Sequence, residues 1–268
     1  MPPEGRMSTR YVYGFGGGEA DGRADMKAVL GGKGAGLAEM TNLGLPVPPG
    51  FTISTDACAY FFENGESWPD GLWESVLAGV KQVEAQTGKS FGDPANPLLF
   101  SVRSGAAVSM PGMMDTVLNL GMNDATVAGL ASRTGNPRFA WDSYRRFVSM
   151  FGDVVLGIHY TRFARALDRF RQGKEEADLS AAQLEQVVAA LKGVVEEAMG
   201  PFPQDPHEQL RLAINAVFRS FNTPRARYYR KSQGLQSVRG TAVNVQTMVF
   251  GNLGHGSATG VAFTRDPK

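Results

Sequence analysis

A lysine set among glycines is the first feature of this sequence that could do chemistry. Residues 31–37 read Gly-Gly-Lys-Gly-Ala-Gly-Leu, and the apolar spacing of a helix begins at Gly34 and ends before Gly44. Backbone N–H groups at a helix N-terminus, together with the Lys33 ammonium, could cradle a phosphate. The segment is not a Walker A loop, because Gly34 rather than serine or threonine follows Lys33. Taken alone, the pattern is equally consistent with an ordinary tight turn.

Two arginines would add permanent positive charge. Arg103 directly follows an apolar strand predicted over residues 98–102, and the end of a buried strand is a common ligand position in α/β folds. A guanidinium stays charged and can bind two oxygens at once, which suits a polyphosphate. Arg146 lies on a predicted helix with Phe147 and Phe151 on its apolar face. The alternatives are a structural ion pair for Arg103 and a solvated helix face for Arg146.

Two loops carry polar or glycine-rich sequence beside predicted strands. Residues 109–116, Ser-Met-Pro-Gly-Met-Met-Asp-Thr, predict a mobile loop with polar groups at its tip, or a segment whose methionines simply pack against helices. Residues 251–260 are rich in glycine and lie between strands predicted over 241–250 and 260–264. Their backbone amides could fold over phosphates, and a flexible hairpin is the alternative.

Composition narrows the class of protein. The 268 residues include 27 lysines and arginines against 26 aspartates and glutamates, a formal net charge of +1, which argues against broad electrostatic binding to nucleic acid or an anionic membrane. No run reaches the roughly 18 apolar residues of a membrane helix, and the N-terminus lacks a signal-peptide layout. The single cysteine, Cys58, excludes a disulfide framework, and the three histidines lack metal-ligand spacing, so no metal site is predicted in this chain. We therefore expect a soluble, cytoplasmic protein.

The predicted elements divide the chain into three segments. Strands are expected at 11–13, 51–53 and 98–102, with helices at 55–62 and 72–87, in a mixed first segment, 1–123. A mainly helical segment, 124–232, follows, with helices at 137–151, 154–170, 181–199 and 206–229. Residues 233–268 then begin a β-ribbon. The last residues come directly after a predicted strand, so we expect the domain to be C-terminally incomplete.

Three stretches together resemble a known family. Residues 31–37, 101–120 and 240–267 are similar to the N-terminal nucleotide-binding domain of the pyruvate, phosphate dikinase family, and the resemblance runs from Tyr11 to Lys268. The Pro-Gly-Met-Met-Asp sequence at 111–115 favours the phosphate-dependent branch over dikinases that act on water or glucan. The resemblance implies an α+β, ATP-grasp-like fold, with two lobes closing over ATP and Mg²⁺ and a helical subdomain inserted.

The resemblance also implies roles for particular residues. Lys33, Arg103 and Arg146 would contact ATP phosphates and act in catalysis. The strand over 245–249 would hold adenine through backbone groups, and the glycine-rich loop 251–260 would cover the polyphosphate. The residues expected to bind the nucleotide are Gly32, Gly34, Asp115, Thr116, Gln246, Met248, Gly254 and Thr259.

The family reaction converts ATP, phosphate and pyruvate into AMP, pyrophosphate and phosphoenolpyruvate. Its partners would be a central phosphohistidine domain of the same full-length chain and a second subunit of a homodimer, and its acidic Mg²⁺ ligands would lie beyond residue 268. Since neither the phosphohistidine segment nor the pyruvate-binding barrel occurs in this sequence, the chain alone should not make phosphoenolpyruvate. Without carboxylates for Mg²⁺, phosphate charge is poorly neutralised, so the chain alone should bind ATP weakly or not at all. A stand-alone, catalytically inactive nucleotide-binding or regulatory module of the same fold is the alternative.

Overall fold

A six-stranded antiparallel sheet organises the part of the chain that the computed structural model describes, residues 10–108, 110, 112–171, 173–254 and 256–262. In chain order the strands are β1 (Val12–Gly16), β2 (Glu19–Ala20), β3 (Gly50–Ile53), β4 (Ser90–Phe91), β5 (Pro97–Leu98), β6 (Phe100–Gly105), β7 (Thr116–Leu120) and β8 (Ala242–Thr247). The sheet order is β2-β1-β3-β8-β6-β7, and β4 and β5 form a separate parallel pair.

Helices cover the sheet and build the middle of the chain. They are α1 (Lys27–Asn42), α2 (Thr55–Glu63), α3 (Leu72–Thr87), α4 (Asp124–Thr134), α5 (Pro137–Val154), α6 (Tyr160–Arg171), α7 (Ala181–Met199), α8 (Pro206–Ser220) and α9 (Pro224–Ser232), with a 3₁₀ turn at Glu176–Asp178. This mixed helical and antiparallel architecture confirms the α+β class. No helix in the described ranges is both long and apolar enough to cross a membrane.

Strand β8 comes from the far end of the chain yet lies in the middle of the sheet. It pairs with β3 through Gly50–Gln246 and neighbouring pairs, and with β6 through Gly105–Ala242 and neighbouring pairs. The strand predicted over 241–250 is therefore shorter than expected and belongs to the main sheet rather than to a separate ribbon. Of the second predicted strand, residues 260–262 are not in a strand, and 263–264 lie outside the described residues.

The sheet has one apolar face and one polar face, because successive side chains of a strand point to opposite sides. Phe51, Val102 and Val245 are neighbours on adjacent strands and are almost completely buried, on the face against which α3 packs. Helix α1 lies on the opposite face. A Cβ on its Gly34 would lie 2.9 Å from the side chain of Thr52.

Helix α1 begins earlier than its apolar spacing predicts. It starts at Lys27 and is interrupted at Gly31, which has φ 68° and ψ 171°. A helix beginning at Gly34 was therefore the wrong boundary: the second helical segment begins directly after Gly31. Left-handed φ values are accessible to glycine without strain, so the chain can change direction there.

Two further helical boundaries were wrong because a proline or a glycine begins or delays a helix where the prediction continued it. The helix predicted over 206–229 is two helices, since Thr223 caps α9 and Pro224 is its first residue, a position that proline favours. Helix α6 begins at Tyr160 rather than 154, after Gly157 adopts a φ of 70°. Helix α4 was not predicted, although Asn123 caps it through a capping box with Thr126.

Candidate anion-binding site

Gly31 and Gly32 bring the start of α1 against the end of β6. A Cβ on Gly31 would lie 1.8 Å from the carbonyl oxygen of Gly105, so no other residue fits without displacement. The N–H of Gly32 donates to the carbonyl of Ala106 at 2.9 Å. The predicted cradle amide of Gly32 is therefore engaged within the protein, and the two glycines serve a close approach of backbones that positions Lys33.

A cavity of about 400 Å³ opens at this end of β6. It is lined by Gly32, Lys33, Ser104, Gly105, Ala106, Val108, Met110, Gly112, Met114 and Thr116. Small residues form one wall and the methionines of the 109–116 loop form the other. The sequence predicted that these two segments would both contact a ligand, and the fold brings them to the same cavity.

Lys33 and Arg103 place two positive charges close together. The Lys33 ammonium donates to the Ser104 carbonyl at 2.8 Å, and its pKa is lowered by burial and then by the charge of Arg103. Burial also lowers the pKa of Arg103. Within the described residues neither cation forms an ion pair with a carboxylate. The structural ion pair considered for Arg103 is therefore not what this part of the chain contains.

Arg103 is held by a neutral partner on β8. One of its Nη atoms donates to Oε1 of Gln246, and Nε2 of Gln246 donates in turn to the carbonyl of Pro48 at 3.0 Å. The Nε of Arg103 is buried and has no acceptor among the described residues. A buried N–H without a partner costs free energy, so this atom is a candidate donor to a ligand oxygen.

Arg103 belongs to a row of polar side chains that crosses four adjacent strands. Thr52 on β3 pairs with Asn244 on β8, Asn244 with Arg103 on β6, and Arg103 with Thr116 on β7. Asn244 is fully buried, and its Oδ1 accepts from the Thr52 hydroxyl while its Nδ2 has no acceptor among the described residues. Two N–H donors of the row, Nε of Arg103 and Nδ2 of Asn244, therefore have no acceptor among the described residues.

Helix α1 covers one half of this polar face and leaves the other half open. The helix begins at the Gly105 end of β6, crosses β8 and β3, and reaches β2, where Asn42 accepts from the Ala20 N–H at 3.1 Å. Gly34, on the side of α1 that faces the sheet, is buried against Thr52 and is not part of the cavity lining. The uncovered half contains Arg103 and Thr116, beside the cavity.

Arg146 lies beside a second cavity, of about 330 Å³, between α5 and α6. Thr116 lines both cavities, so they are neighbours. Arg146 donates from Nε to Asp142 at 2.9 Å, and the same buried carboxylate accepts from Arg145 at 2.8 Å. Arg145 is buried, whereas the Arg146 side chain is 59% exposed. Asp142 thus pairs with both arginines: Arg145 is buried and structural, and Arg146 is accessible to solvent.

Asp115 has a half-buried carboxyl group whose pKa is raised, first by burial and then by the neighbouring charge of Asp153. No group of three histidine, cysteine, aspartate or glutamate side chains that could hold a metal ion occurs in the described part of the chain. The residues present therefore do not form a complete Mg²⁺ site, and the chemistry they offer is that of cations and hydrogen-bond donors.

The residues expected after β8 do not join the cavity around Lys33. The backbone of residues 243–246 pairs on both sides, and the N–H groups of Thr247 and Met248 donate to the carbonyls of Pro49 and Leu99 at 2.9 Å, so these donors are engaged within the protein. Because β8 is antiparallel to β6, Met248 and the loop after it start at the Phe100 end, roughly 17 Å from Gly105.

The glycine-rich loop packs on the helical part of the chain. Asn136 donates to the Leu253 carbonyl at 3.0 Å, and the loop folds back so that Thr259 lies against Gly251. Gly254 and Thr259 are exposed and are not part of the lining of the cavity at Lys33. In this arrangement the described residues of the loop lie away from the cavity at Lys33, and the predicted cover over a polyphosphate stays a prediction.

Two polar residues beside the predicted cations, Asn244 and Asp142, were missed from the sequence. Asn244 and Gln246 alternate with buried valines in β8, and this period-two pattern could have placed both on a polar face with Arg103. Asp142 precedes Arg145 and Arg146 by three and four residues, which is the spacing of helical ion pairs.

The fold and these contacts define an α+β domain with an open, cationic sheet face suited to anions. A family model described as "Pyruvate phosphate dikinase, AMP/ATP-binding domain" matches residues 27–76 and 66–268. The chain therefore belongs to this family.

The curated relatives that this chain matches carry the same family name. The chain is 53% identical over 271 residues to "Pyruvate, phosphate dikinase, chloroplastic" of Flaveria pringlei, and 55% over 269 residues to "Pyruvate, phosphate dikinase 2" of Zea mays. It is 56% identical over 262 residues to "Pyruvate, phosphate dikinase" of Rhizobium meliloti (strain 1021). These alignments cover 100%, 99% and 96% of this chain but only 28%, 30% and 29% of the respective relatives.

Proposed function

We propose that this chain is the ATP-binding part of a pyruvate, phosphate dikinase, which converts ATP, phosphate and pyruvate into AMP, pyrophosphate and phosphoenolpyruvate. The observation that supports this most directly is the pair Lys33 and Arg103, two half-buried cations that have no carboxylate partner in the described residues. Such a pair is unfavourable without an anion and favourable with one. The stand-alone module considered as the alternative is not favoured. The relatives are dikinases, and their alignments cover 100% and 96% of this chain.

The nucleotide would lie on the uncovered half of the polar sheet face. Its terminal phosphates would bind at Lys33 in the 400 Å³ cavity, and its polyphosphate would pass Arg103 toward the Phe100 end of β6. Thr116 connects this path to the second cavity, where Arg146 would contact phosphate. Preorganised cations beside a transferring phosphoryl group stabilise the charge that develops there, and this is where most of the catalysis in phosphoryl transfer arises.

Adenine would then lie near Met248. Its backbone partners would be the carbonyl of Met248 and backbone groups from residue 249 onward. Gly254 and Thr259 would reach the polyphosphate only if the glycine-rich loop left its contact with Asn136. Closure of two lobes in this manner is the ATP-grasp-like behaviour that we propose, with Asp115 and Gly32 at the rim of the site.

Further partners belong to the same proposal. Mg²⁺ would neutralise phosphate charge when bound, held mainly by acidic residues beyond residue 268. A central phosphohistidine domain of the same full-length chain would accept the phosphoryl group, and the full-length protein would be a cytoplasmic homodimer. The relative from Rhizobium meliloti (strain 1021) is bacterial, which supports the cytoplasm for this chain.

A chimera tests the proposed reaction. Residues 1–268 would replace the matching N-terminal part of the Rhizobium meliloti relative, and phosphoenolpyruvate formation would be measured. Arg103→Met should lower kcat/KM for ATP by roughly 10-fold to 100-fold, since a hydrogen bond to a charged group contributes about 1.5–3 kcal/mol. Arg211→Met removes an exposed arginine of α8 and should leave the rate unchanged. An inactive chimera with an intact fold, or equal rates for both variants, would count against the proposal.

A further inference from the structure

Gln246 makes contacts that an adenine-binding role does not require. Its Oε1 accepts from Arg103, its Nε2 donates to the Pro48 carbonyl at 3.0 Å, and the residue is 7% exposed. Each end of the amide thus meets a partner of the opposite kind, which determines the orientation of the side chain. Gly50 lies opposite in β3, and a Cβ there would approach the Cα of Gln246 to 2.9 Å.

The neutrality of Gln246 matters for the charge on Arg103. A carboxylate at this position would form an ion pair with the guanidinium and reduce its attraction for an anion. A glutamine accepts the same hydrogen bond and leaves the positive charge uncompensated. The Nε of Arg103, buried and without an acceptor in the described residues, takes no part in this hydrogen bond.

We propose that Gln246 is a positioning residue for Arg103. It connects one edge of the guanidinium to the backbone of the Pro48 segment, and it keeps the charge and the free Nε directed at the polyphosphate. The proposal rests on the proposed function in one respect, since the anion to be bound is that of ATP.

The first measurement needs no ligand. Rotation about the Nε–Cζ bond of Arg103 would be followed by ¹⁵N NMR of the 268-residue chain, with the signal assigned through Arg103→Lys. In Gln246→Met, which keeps the side-chain shape, rotation should become several-fold faster because the hydrogen bond is lost. Gln186→Met is the matched control, because Gln186 is exposed on α7.

The second measurement is a titration with ATP at millimolar concentration, with thermal unfolding recorded for every variant. Gln246→Met should weaken ATP binding about tenfold. Gln246→Glu should weaken it further and make binding less dependent on salt, because the new carboxylate neutralises Arg103. In an Arg103→Met background, Gln246→Met should have no additional effect, since it acts through the guanidinium. Gln186→Glu should match the unchanged chain.

The outcomes separate this proposal from the function on which it rests. An unchanged Arg103 signal in Gln246→Met would overturn the positioning role, as would an equal loss of ATP affinity with and without Arg103. A variant that only unfolds more easily, with the same rotation and affinity, would show a purely structural role. If the unchanged chain binds no ATP at any concentration, the NMR comparison alone decides the role of Gln246, and the chimera alone decides the proposed function.

Discussion

Lys33 donates a hydrogen bond from its ammonium to the carbonyl of Ser104, 2.8 Å away, and Ser104 directly follows Arg103 in β6. The carbonyl therefore holds one cation next to another. Lys33 gains a single neutral acceptor there, while burial and Arg103 both lower its pKa. Functional sites often keep such locally unfavourable arrangements because a ligand reverses them.

Replacing Lys33 by methionine should separate stability from function. The pKa of Lys33 in the folded chain lies below the unfolded value of 10.5, so between the two values the unfolded chain binds more protons and wild-type stability rises with pH. We expect Lys33→Met to unfold at higher urea concentration than the wild type at neutral pH, with an advantage that shrinks as pH approaches 10.5. Urea titrations across this range measure it.

Lys27→Met is the control, because Lys27 is exposed at the start of the same helix. Its stability difference from the wild type should be small, because it removes an exposed side chain. A constant difference for Lys33→Met over the whole range would contradict the charge interaction inferred here.

Gly31→Ala should destabilise the fold strongly, whereas Gly36→Ala in the same helix should not. Alanine at 31 would have a φ of 68° and a Cβ 1.8 Å from the Gly105 oxygen. We expect a loss of about 3 kcal/mol or more in the free energy of unfolding. Gly36 has no atom near its would-be Cβ, so alanine there should be neutral or stabilising by up to about 1 kcal/mol. Equal effects in urea unfolding would contradict the close approach of α1 to β6.

Asp142→Asn should also lower stability, by about 3 kcal/mol, because among the described residues it leaves the buried Arg145 with only the partly exposed Glu176 as a charged partner. Asp168→Asn is the matched control, since the Asp168 pair with Arg171 is exposed and should contribute less than about 1 kcal/mol. In the chimera, Asp142→Asn should also raise KM for phosphate by releasing Arg146. An unchanged urea midpoint for Asp142→Asn would show that the carboxylate shared by Arg145 and Arg146 does not stabilise the fold.

Cys58 should resist thiol reagents in the folded protein. It is fully buried, and burial raises the pKa of its thiol to about 12, so almost no thiolate exists at neutral pH. We expect no reaction with a disulfide reagent over hours in buffer and complete reaction in denaturing urea. Rapid modification without urea would mean that α2 separates readily from the sheet.

The local features of the site were predictable because they depend on short stretches of sequence. The glycines around Lys33, the apolar strand before Arg103 and the bounds of α7 all depend on patterns within a few residues. The boundary errors at α1 and α9 arose where Gly31 and Pro224 could either interrupt or begin a helix. Contacts with residues distant in sequence, such as that of Gly31 with Gly105, decide whether a helix is interrupted or begins there.

The sequence by itself determined that this is an α+β protein with a lysine and an arginine suited to phosphate, and it carried the family resemblance that the comparisons confirm. Only the tertiary structure decided that β8 lies between β3 and β6, and so that Gln246 holds Arg103 across 143 residues of chain. Strand pairing over such a separation depends on which faces bury apolar surface together, and no local pattern contains that information.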